Sequence, residues 1–136
     1  MKSDIRMTED DVVIALCKWF ENKGWFIQKR CLGRQRGNDI EAIKGNKLMV
    51  IEAKGAMGKL SHTTRKKFDS GQIKNHCGEA LVKIFEQKIF HPLAEFGIAH
   101  PHDEYLMKVL SIIRPEIKKL NIKMYWVKNN GDVIVE

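Results

Sequence analysis

The sequence predicts an α/β fold with a mixed sheet, and three features of the chain predict it. An apolar stripe with helical spacing opens the chain, from Val12 to Phe20. Two short strand-like segments follow around the turn dipeptide Gly45-Asn46, which is typical of a hairpin. Long helical patterns then alternate with short apolar runs, an order that favours helices packed on a sheet. The chain has 136 residues, of which 43% are hydrophobic, so we expect a single domain over residues 1–136.

The first two elements follow from local signals. The first helix should span Thr8 to Lys23, because Thr8 and Asp11 form a capping-box pair and Gly24 is a common helix terminator. The segment WFIQKRC then predicts a strand that leads into a Gly-rich basic loop.

The rest of the chain completes the order α-β-β-β-α-β-α-β-β. The segment GAMGKLSHTTRKK is polar and contains two glycines, which predicts a loop after the hairpin. Pro115 should kink or split the last helical segment. The remaining predicted elements are hairpin strands at roughly Asn38–Lys44 and Lys47–Lys54, a helix at Ser70–Phe90, the strand AEFGIA, a helix at Asp103–Leu120 and a closing hairpin of IKMYWV and DVIVE.

The charge balance is strongly basic. The formal net charge is +7 and the pI is about 9.4, which indicates a polyanionic partner. Two segments without acids, QKRCLGRQR and KGAMGKLSHTTRKKF, lie directly before and after the hairpin. They are either two solvated loops or a rim that grips phosphates. The rim residues that we expect to bind nucleic acid are Arg34, Arg36, Lys59, Arg65, Lys66 and Lys67.

Composition also excludes several classes of protein. No apolar run approaches the length of a membrane span, and the polar start MKSDIRMTEDD is not a secretory signal. Cys17, Cys31 and Cys77 are too far apart in sequence for a zinc knuckle, and so sparse a count fits reduced thiols. We therefore expect a cytoplasmic location.

The hairpin carries charges where a stable strand pair prefers apolar residues. A two-residue turn puts Asp39 opposite Glu52, with Cβ atoms about 4.5–5.5 Å apart. Lys54 lies on the same face because strand side chains alternate. Like charges that face each other destabilise a sheet, so something must offset them. A divalent cation would do so, and hard oxygen ligands suit Mg²⁺.

A salt-bridged surface hairpin, in which Lys54 neutralises Glu52, is the simpler interpretation. The remaining strand residues weigh against it because both faces are partly apolar, which indicates a central hairpin covered on both sides. A charge cluster at one end of such a hairpin favours a functional site. Glu41, on the same face, is either a third acid or a partner for a nearby arginine.

The motif Asn38-Asp39 followed by Glu52-Ala53-Lys54 resembles that of the PD-(D/E)XK nuclease superfamily. Asn38 stands where the motif has proline. The resemblance covers Thr8 to about Ala99 and implies a restriction-endonuclease-like α-β-β-β-α-β core, with a central mixed sheet flanked by helices. A C-terminal helix and β-hairpin follow that core. The implied activity is Mg²⁺-dependent hydrolysis of DNA phosphodiester bonds, with Mn²⁺ as a substitute.

The resemblance also implies roles for individual residues. Asp39, Glu52 and the Ala53 carbonyl would hold the metal. Lys54 would orient the attacking water and stabilise the developing charge. Gln72 on the following helix would lie by the scissile phosphate, with His76 a weaker candidate at i+4.

Glu9 is a further candidate by geometry. At about 100° per residue it falls on the apolar face of the first helix, so it should point toward the sheet. In the superfamily an acid on this helix often completes the metal site, which makes Glu9 a candidate ligand and catalytic residue. The alternative is a first-turn acid that complements the helix dipole.

Other polar and aromatic residues look structural. His100 and His102 in AHPHDEY have no third ligand nearby in sequence, which favours ordinary polar surface in a loop. The aromatic residues fit core positions better than base-stacking platforms; they are Trp19, Trp25, Tyr125 and Trp126.

Two other functions stay open beside the nuclease. One is a nucleic-acid-binding module that keeps the fold but does not cut, and the other is an assembly protein that docks an acidic partner through its basic surface. No separate recognition domain fits in this length. A homodimer or a partner subunit is a natural way to engage two strands of duplex or branched DNA.

Overall fold

Six strands form one open mixed sheet whose spatial order follows the order along the chain. The structure is a computed structural model, and the description covers residues 7–58 and 67–136. The strands are β1 (Phe26–Arg30), β2 (Ile40–Lys44), β3 (Lys47–Ala53), β4 (Glu95–Pro101), β5 (Ile122–Val127) and β6 (Val133–Val135).

The direction of the strands changes across the sheet. Strands β1, β2 and β3 form an antiparallel meander, whereas β3, β4 and β5 run parallel, and β6 closes the sheet antiparallel to β5. The carboxyl ends of β3, β4 and β5 therefore meet at one edge of the sheet, which we call the C-edge. In open α/β sheets, ligands bind outside this kind of edge.

Helices cover both faces of the sheet. Helix α1 (Glu9–Asn22) packs on one face through a core that includes Leu16, Phe20 and Ile51. The opposite face is covered by α2 (Ser70–Phe90), α3 (Glu104–Val109) and α4 (Arg114–Lys119), whose buried side chains pack on Val50, Ile98 and Trp126. None of the helices in the described ranges is long and apolar enough to cross a membrane.

Local signals in the sequence account for most of these boundaries. Helix α1 starts after Thr8, whose hydroxyl accepts from the Asp11 N–H while the Asp11 carboxylate accepts from the Thr8 N–H, as the capping box predicts. Helix α2 has the predicted bounds. The hairpin register is also confirmed, because Lys44 pairs with Lys47 and Ile40 with Ile51.

The region around Pro115 differs in detail from the prediction. The predicted helix is two short helices, and the break falls before the proline, between Val109 and Arg114. Pro115 lies in the first turn of α4, where its missing N–H costs nothing and its fixed φ suits the helix start. The proline therefore marks where the second helix begins.

Candidate functional site

Two carboxylates face each other where β2 and β3 meet the C-edge. Continuing the hairpin register one step beyond Ile40 sets Asp39 opposite Glu52. The Asp39 amide donates to Glu52 Oε2 at 3.2 Å, and the Ala53 amide donates to Asp39 Oδ2 at 2.8 Å. The backbone of each strand thus fixes the carboxylate of the other, so the pair is held by the sheet itself.

Burial dominates the electrostatics of this pair. The pKa of Asp39 is raised mainly by burial, although the hydrogen bond from Ala53 and the nearby charge of Lys83 oppose the shift. The pKa of Glu52 is raised by burial and then by the charge of Asp39. Two carboxylates in one poorly hydrated place make the ionised pair costly, and a cation relieves that cost.

The cation that contacts the pair is Lys83 on α2. Its Nζ lies 2.8 Å from Glu52 Oε1 and donates to the Gly37 carbonyl at 2.7 Å. Burial alone would lower the pKa of Lys83, but its hydrogen bond and charge interaction with Glu52 raise it. Lys83 therefore stays charged against Glu52.

Lys54, the lysine of the motif, has a different partner. Its Nζ lies 3.6 Å from Glu79 Oε2, and it faces a cleft of about 210 Å³ lined by Glu9, Glu79 and His76. The interpretation that Lys54 neutralises Glu52 in a surface hairpin is wrong, because Lys83 makes that contact and Glu52 is buried. The Lys54 ammonium instead lies at the cleft that it lines with Glu9, His76 and Glu79.

Glu9 reaches the same cleft from the opposite face of the sheet. It lies in the first turn of α1, and its pKa is raised to about 7 by burial and by the charge of Asp39. The prediction that Glu9 points toward the sheet is confirmed. Asp11 caps the helix, and Asp10 Oδ1 accepts from the Gly33 amide, so the other first-turn acids have separate roles.

Gly55 brings α1 close to the end of β3. A Cβ at this position would lie 2.5 Å from the Glu9 nitrogen and 2.8 Å from the Thr8 carbonyl carbon, both backbone atoms. The next residue, Ala56, donates its amide to the Met7 carbonyl at 2.9 Å. Only glycine allows this approach, and the approach places Glu9 beside Lys54.

A polar network borders the carboxylates on the α2 side. Asn38 Nδ2 donates to Glu41 Oε2 at 3.0 Å and to Gln87 Oε1 at 3.2 Å, and Gln28 Nε2 donates to Glu41 Oε1. Both oxygens of Glu41 thus accept from side-chain amides, and no arginine within residues 7–58 and 67–136 pairs with it. Asn38 Oδ1 is buried without a hydrogen-bond partner, next to Asp39.

Gln72 and His76 are placed differently from one another. Gln72 is exposed at the start of α2, where its Oε1 accepts from the Asp69 amide at 3.0 Å in a capping box. His76 lines the cleft, and its ring packs edge-on against Phe68. Burial and the charge of Lys54 lower the pKa of His76. The role predicted for Gln72 stays a prediction, and His76 is the better placed of the two.

The expectation for His100 is wrong. Strand β4 extends through Pro101, so His100 is buried in the sheet and stacks on Trp126 at 5.5 Å between ring centroids. Burial, Lys54 and His76 lower the pKa of His100 to about 3, so the imidazole is neutral. The segment AHPHDEY looks like a loop because of its proline and polar residues, but its first three residues belong to the strand. His102 is exposed, as expected.

The basic rim is described only in part. Arg34 and Arg36 are exposed in the turn between β1 and β2, near the C-edge, because the end of β1 pairs with the start of β2. Lys67 is exposed and its backbone bridges to Met57. Lys59, Arg65 and Lys66 lie outside the described residues. Arg34 and Arg36 thus lie in the loop that leads into Asp39, and Lys67 pairs with Met57, which lines the cleft beside Lys54.

The donor set fits a Mg²⁺ ion. Asp39 and Glu52 offer the hard carboxylate oxygens that Mg²⁺ prefers, and Mg²⁺ is commonly held by one or two carboxylates plus substrate phosphates. Within residues 7–58 and 67–136, no group of three or more His, Cys, Asp or Glu side chains is close enough to hold a metal ion. The charge of Asp39 acts on Glu9, and the role predicted for Glu9 as a metal ligand stays a prediction.

Lys83, Gln87 and Glu79 are the site residues that the sequence interpretation missed. They lie on the same flank of α2 as His76, beside the buried row that contains Ala80 and Ile84. Four polar residues in a row at helical spacing on one edge of an apolar stripe were the available signal. Which strand they would meet depends on where α2 crosses the sheet.

Comparison with known proteins finds no family model that matches the chain, no similar curated protein and no similar solved structure. Function must therefore be inferred from the site itself.

Proposed function

We propose that the protein is a Mg²⁺-dependent nuclease that hydrolyses DNA phosphodiester bonds. The order of α1, the β1–β3 meander, α2 and β4 supports a restriction-endonuclease-like core. The motif residues Asp39, Glu52 and Lys54 share one edge of that core.

The observation that carries the proposal is the facing pair Asp39 and Glu52. Both carboxylates are fixed by backbone amides of the opposite strand, and burial is the main cause of their raised pKa values. A fold that needed only stability would not place two acids opposite each other in a covered hairpin. An ion-binding function gives a reason for both the charges and the rigidity.

The chain's own residues would divide the work. Asp39 and Glu52 would hold the ion, and the Ala53 amide keeps the Asp39 carboxylate in place. An Mg²⁺ ion held by these carboxylates would lower the pKa of a bound water and would neutralise phosphate oxygens. The Lys54 ammonium would stabilise charge that develops on the phosphate. Glu9, whose pKa is about 7, can accept or release a proton at its carboxyl near neutral pH.

The surroundings suit a polyanionic chain better than a small metabolite. The cleft beside Lys54 has a volume of about 210 Å³, below the roughly 300–1,000 Å³ that small-molecule pockets occupy. Larger open grooves of about 700 and 760 Å³ lie away from the carboxylate pair. A small cleft that carries both acids and Lys54, with Arg34 and Arg36 exposed in the loop before Asp39, is suited to one phosphate of a longer backbone.

One observation favours a second function, a nucleic-acid-binding module that does not cut. Glu52 is already neutralised by Lys83, and the described acids do not form a three-ligand group. If Lys83 and Glu52 formed a purely structural ion pair and no metal bound to the carboxylates, the basic rim would bind DNA without hydrolysis.

Plasmid nicking separates the two functions. Wild-type protein should nick supercoiled plasmid with Mg²⁺ or Mn²⁺ but not with chelator. Three variants should each abolish nicking and keep the fold and most DNA binding: Asp39→Asn, Glu52→Gln and Lys54→Met. Lys123→Gln, a charge change at the opposite edge of the sheet, is the matched control. Undiminished cutting by any of the three site variants would end this mechanism. Salt-sensitive binding without cutting would establish the binding module.

A further inference from the structure

The position of Lys83 has a consequence for metal binding. The two oxygens of Glu52 are both engaged by the chain's own donors, because Oε1 contacts the Lys83 ammonium and Oε2 accepts from the Asp39 amide. The Glu52 side chain is only 4% exposed. A divalent cation that binds Glu52 must therefore share the carboxylate with these donors, close to the positive charge of Lys83.

Lys83 is the donor that can leave. The Asp39 amide is part of the hairpin backbone, whereas Lys83 is joined to α2 by a flexible four-carbon stem and is 38% exposed. Its second bond, to the Gly37 carbonyl, involves an exposed loop residue. Rotation of one side chain moves the ammonium into solvent without a change in the sheet.

We propose that Lys83 competes with the divalent cation for Glu52. The Lys83 ammonium neutralises the Glu52 carboxylate until the ion binds and displaces it. This inference rests on the proposed metal-dependent function. The two cations compete at Glu52 because their like charges repel each other when both lie against one buried carboxylate. By linkage, the free energy of the contact between Lys83 and Glu52 makes the binding free energy of the ion less favourable by the same amount. Lys83 thereby sets the metal concentration at which the ion occupies the site.

The test is metal affinity in a lysine variant that keeps the stem. Lys83→Met removes the ammonium, so the Kd for Mn²⁺, measured by calorimetry and by paramagnetic relaxation, should fall by roughly fivefold or more. Lys88→Met is the matched control, because Lys88 is on the same helix but contacts Phe85, Phe96 and the Leu120 carbonyl. Its Kd should not change, which separates a local effect from the loss of one overall positive charge.

The outcomes distinguish this inference from the proposed function. If wild-type protein binds Mn²⁺ and Lys83→Met binds it no more tightly, the competition is refuted while the metal site stands. If neither protein shows saturable binding, both are refuted. If Asp39→Asn binds Mn²⁺ as wild type does, the carboxylate pair is not the site. Should Lys83→Met fail to fold, Lys83→Gln removes the charge but can still donate to Gly37, and the same comparison applies.

A second inference concerns the outer surface of α2. Beside its buried row, α2 carries another row at positions 75, 78, 82, 85 and 89, with alternating spacings of three and four. Its apolar members Val82, Phe85 and Ile89 are 59%, 45% and 77% exposed. No element in the described part of the chain packs over them. The seam of a two-stranded coiled coil has the same alternation of spacings, which α2 carries over about two heptads.

The flanking charges fit a second copy of the same helix in the parallel direction. Asn75 falls at an a position, where a polar residue commonly fixes the register of a parallel pair. Lys74 and Lys88 flank one side of the row, and Glu79 and Glu86 flank the other. In a parallel pair the two different sides meet, so Lys74 would face Glu79 of a second copy. In an antiparallel pair each side would meet itself, and like charges would oppose.

We infer that a second copy of this chain docks on this row, with the two α2 helices parallel. Sedimentation should show a concentration-dependent dimer that Val82→Glu abolishes without lowering Tm. Ile112→Glu, at another exposed apolar residue, is the matched control and should leave the dimer intact. Asn75→Cys should form an intermolecular disulfide, because only parallel helices bring the two copies of residue 75 together. A monomer at all concentrations, a dimer that survives Val82→Glu, or an Asn75→Cys dimer without that disulfide would overturn the inference.

Discussion

Glu9, Asp39 and Glu52 are each shifted in pKa mainly by burial, and each is within electrostatic range of another acid. The ionised form of each group is therefore less stable than it would be in water. The Lys83 ammonium offsets part of this cost at Glu52. A site with acids in excess of cations gains stability when a cation binds or an acid is removed.

Asp39→Asn removes one acid at nearly constant volume. An amide oxygen can still accept from the Ala53 N–H, whereas the repulsion with Glu52 disappears. With chelator present, the variant should be more stable than wild type by about 1 kcal/mol, or roughly 3–5 °C in Tm. Mg²⁺ should raise the Tm of wild type by mass action and have little effect on the variant. If the variant is less stable with chelator and still gains as much from Mg²⁺, the two acids do not share an ion.

Glu9→Gln tests the pH dependence of the site. The folded pKa of Glu9 is about 7, above the unfolded value of 4.5, so its contribution to stability is fully present below pH 4.5 and is lost as pH rises through 7. Because Glu9 is only partly buried, we discount the loss for solvent screening to about 1–2 kcal/mol. With chelator at pH 8, Glu9→Gln should therefore have the higher Tm. At pH 4 the two proteins should differ little, and equal curves at both pH values would place Glu9 in water.

His100 should change the stability with pH in the opposite direction from Glu9. Its folded pKa of about 3 lies below the unfolded value of 6.5, so its contribution is present above pH 6.5 and is lost as pH falls toward 3. Between pH 6.5 and 4 the loss should be roughly 3 kcal/mol. His100→Phe keeps an aromatic ring against Trp126 and removes the titrating group. Thermal melts of this variant over that range should be flatter than those of wild type, and an unchanged slope would refute the assignment.

At the scale of elements, features that depend on local sequence signals could be predicted, whereas features that depend on long-range contacts could not. The capping pairs of α1 and α2 and the two-residue turn at Gly45-Asn46 act within a few residues, so the bounds of α2 and the register of β2 with β3 could be predicted. The opposition of Asp39 and Glu52 follows from that register alone. The contact of Lys83 with Glu52 depends on how α2 crosses the sheet, which no local pattern encodes. The burial of His100 likewise depends on β5 pairing with β4 and on α2 packing against β4.

Gly55 tests the link between α1 and the site. Gly55→Ala would push a Cβ against backbone atoms of Thr8 and Glu9, which cannot move aside as a side chain can. We expect a loss of about 1–3 kcal/mol in unfolding free energy and a fall of the Glu9 pKa toward its ordinary value as α1 moves away. Gly78→Ala, measured at concentrations where the protein is monomeric, is the control, because a Cβ there meets nothing within 4 Å and alanine favours a helix by about 0.5–1 kcal/mol. Equal effects of the two changes in chemical denaturation would show that the close approach is unimportant.

At the scale of the whole molecule, positive charge lies at both edges of the sheet, but only one edge carries the facing carboxylates. Arg34 and Arg36 are near the C-edge, whereas Lys118 and Lys123 lie at the opposite edge, where β5 begins. Non-specific attraction would use both groups, since each contributes to the net charge of +7. Binding in the orientation needed for hydrolysis would use only the first group.

This difference can be measured from the salt dependence of DNA binding. Arg34→Gln with Arg36→Gln should weaken binding to all duplex sequences alike and reduce the slope of log K against log salt by about one unit for each phosphate that is no longer neutralised. Lys118→Gln with Lys123→Gln removes the same charge from the far edge and should leave that slope near the wild-type value. Equal slopes in the two double variants would mean that DNA has no preferred side of the molecule. Weaker binding confined to one DNA sequence would mean that the arginines read bases, because phosphate contacts carry no sequence information.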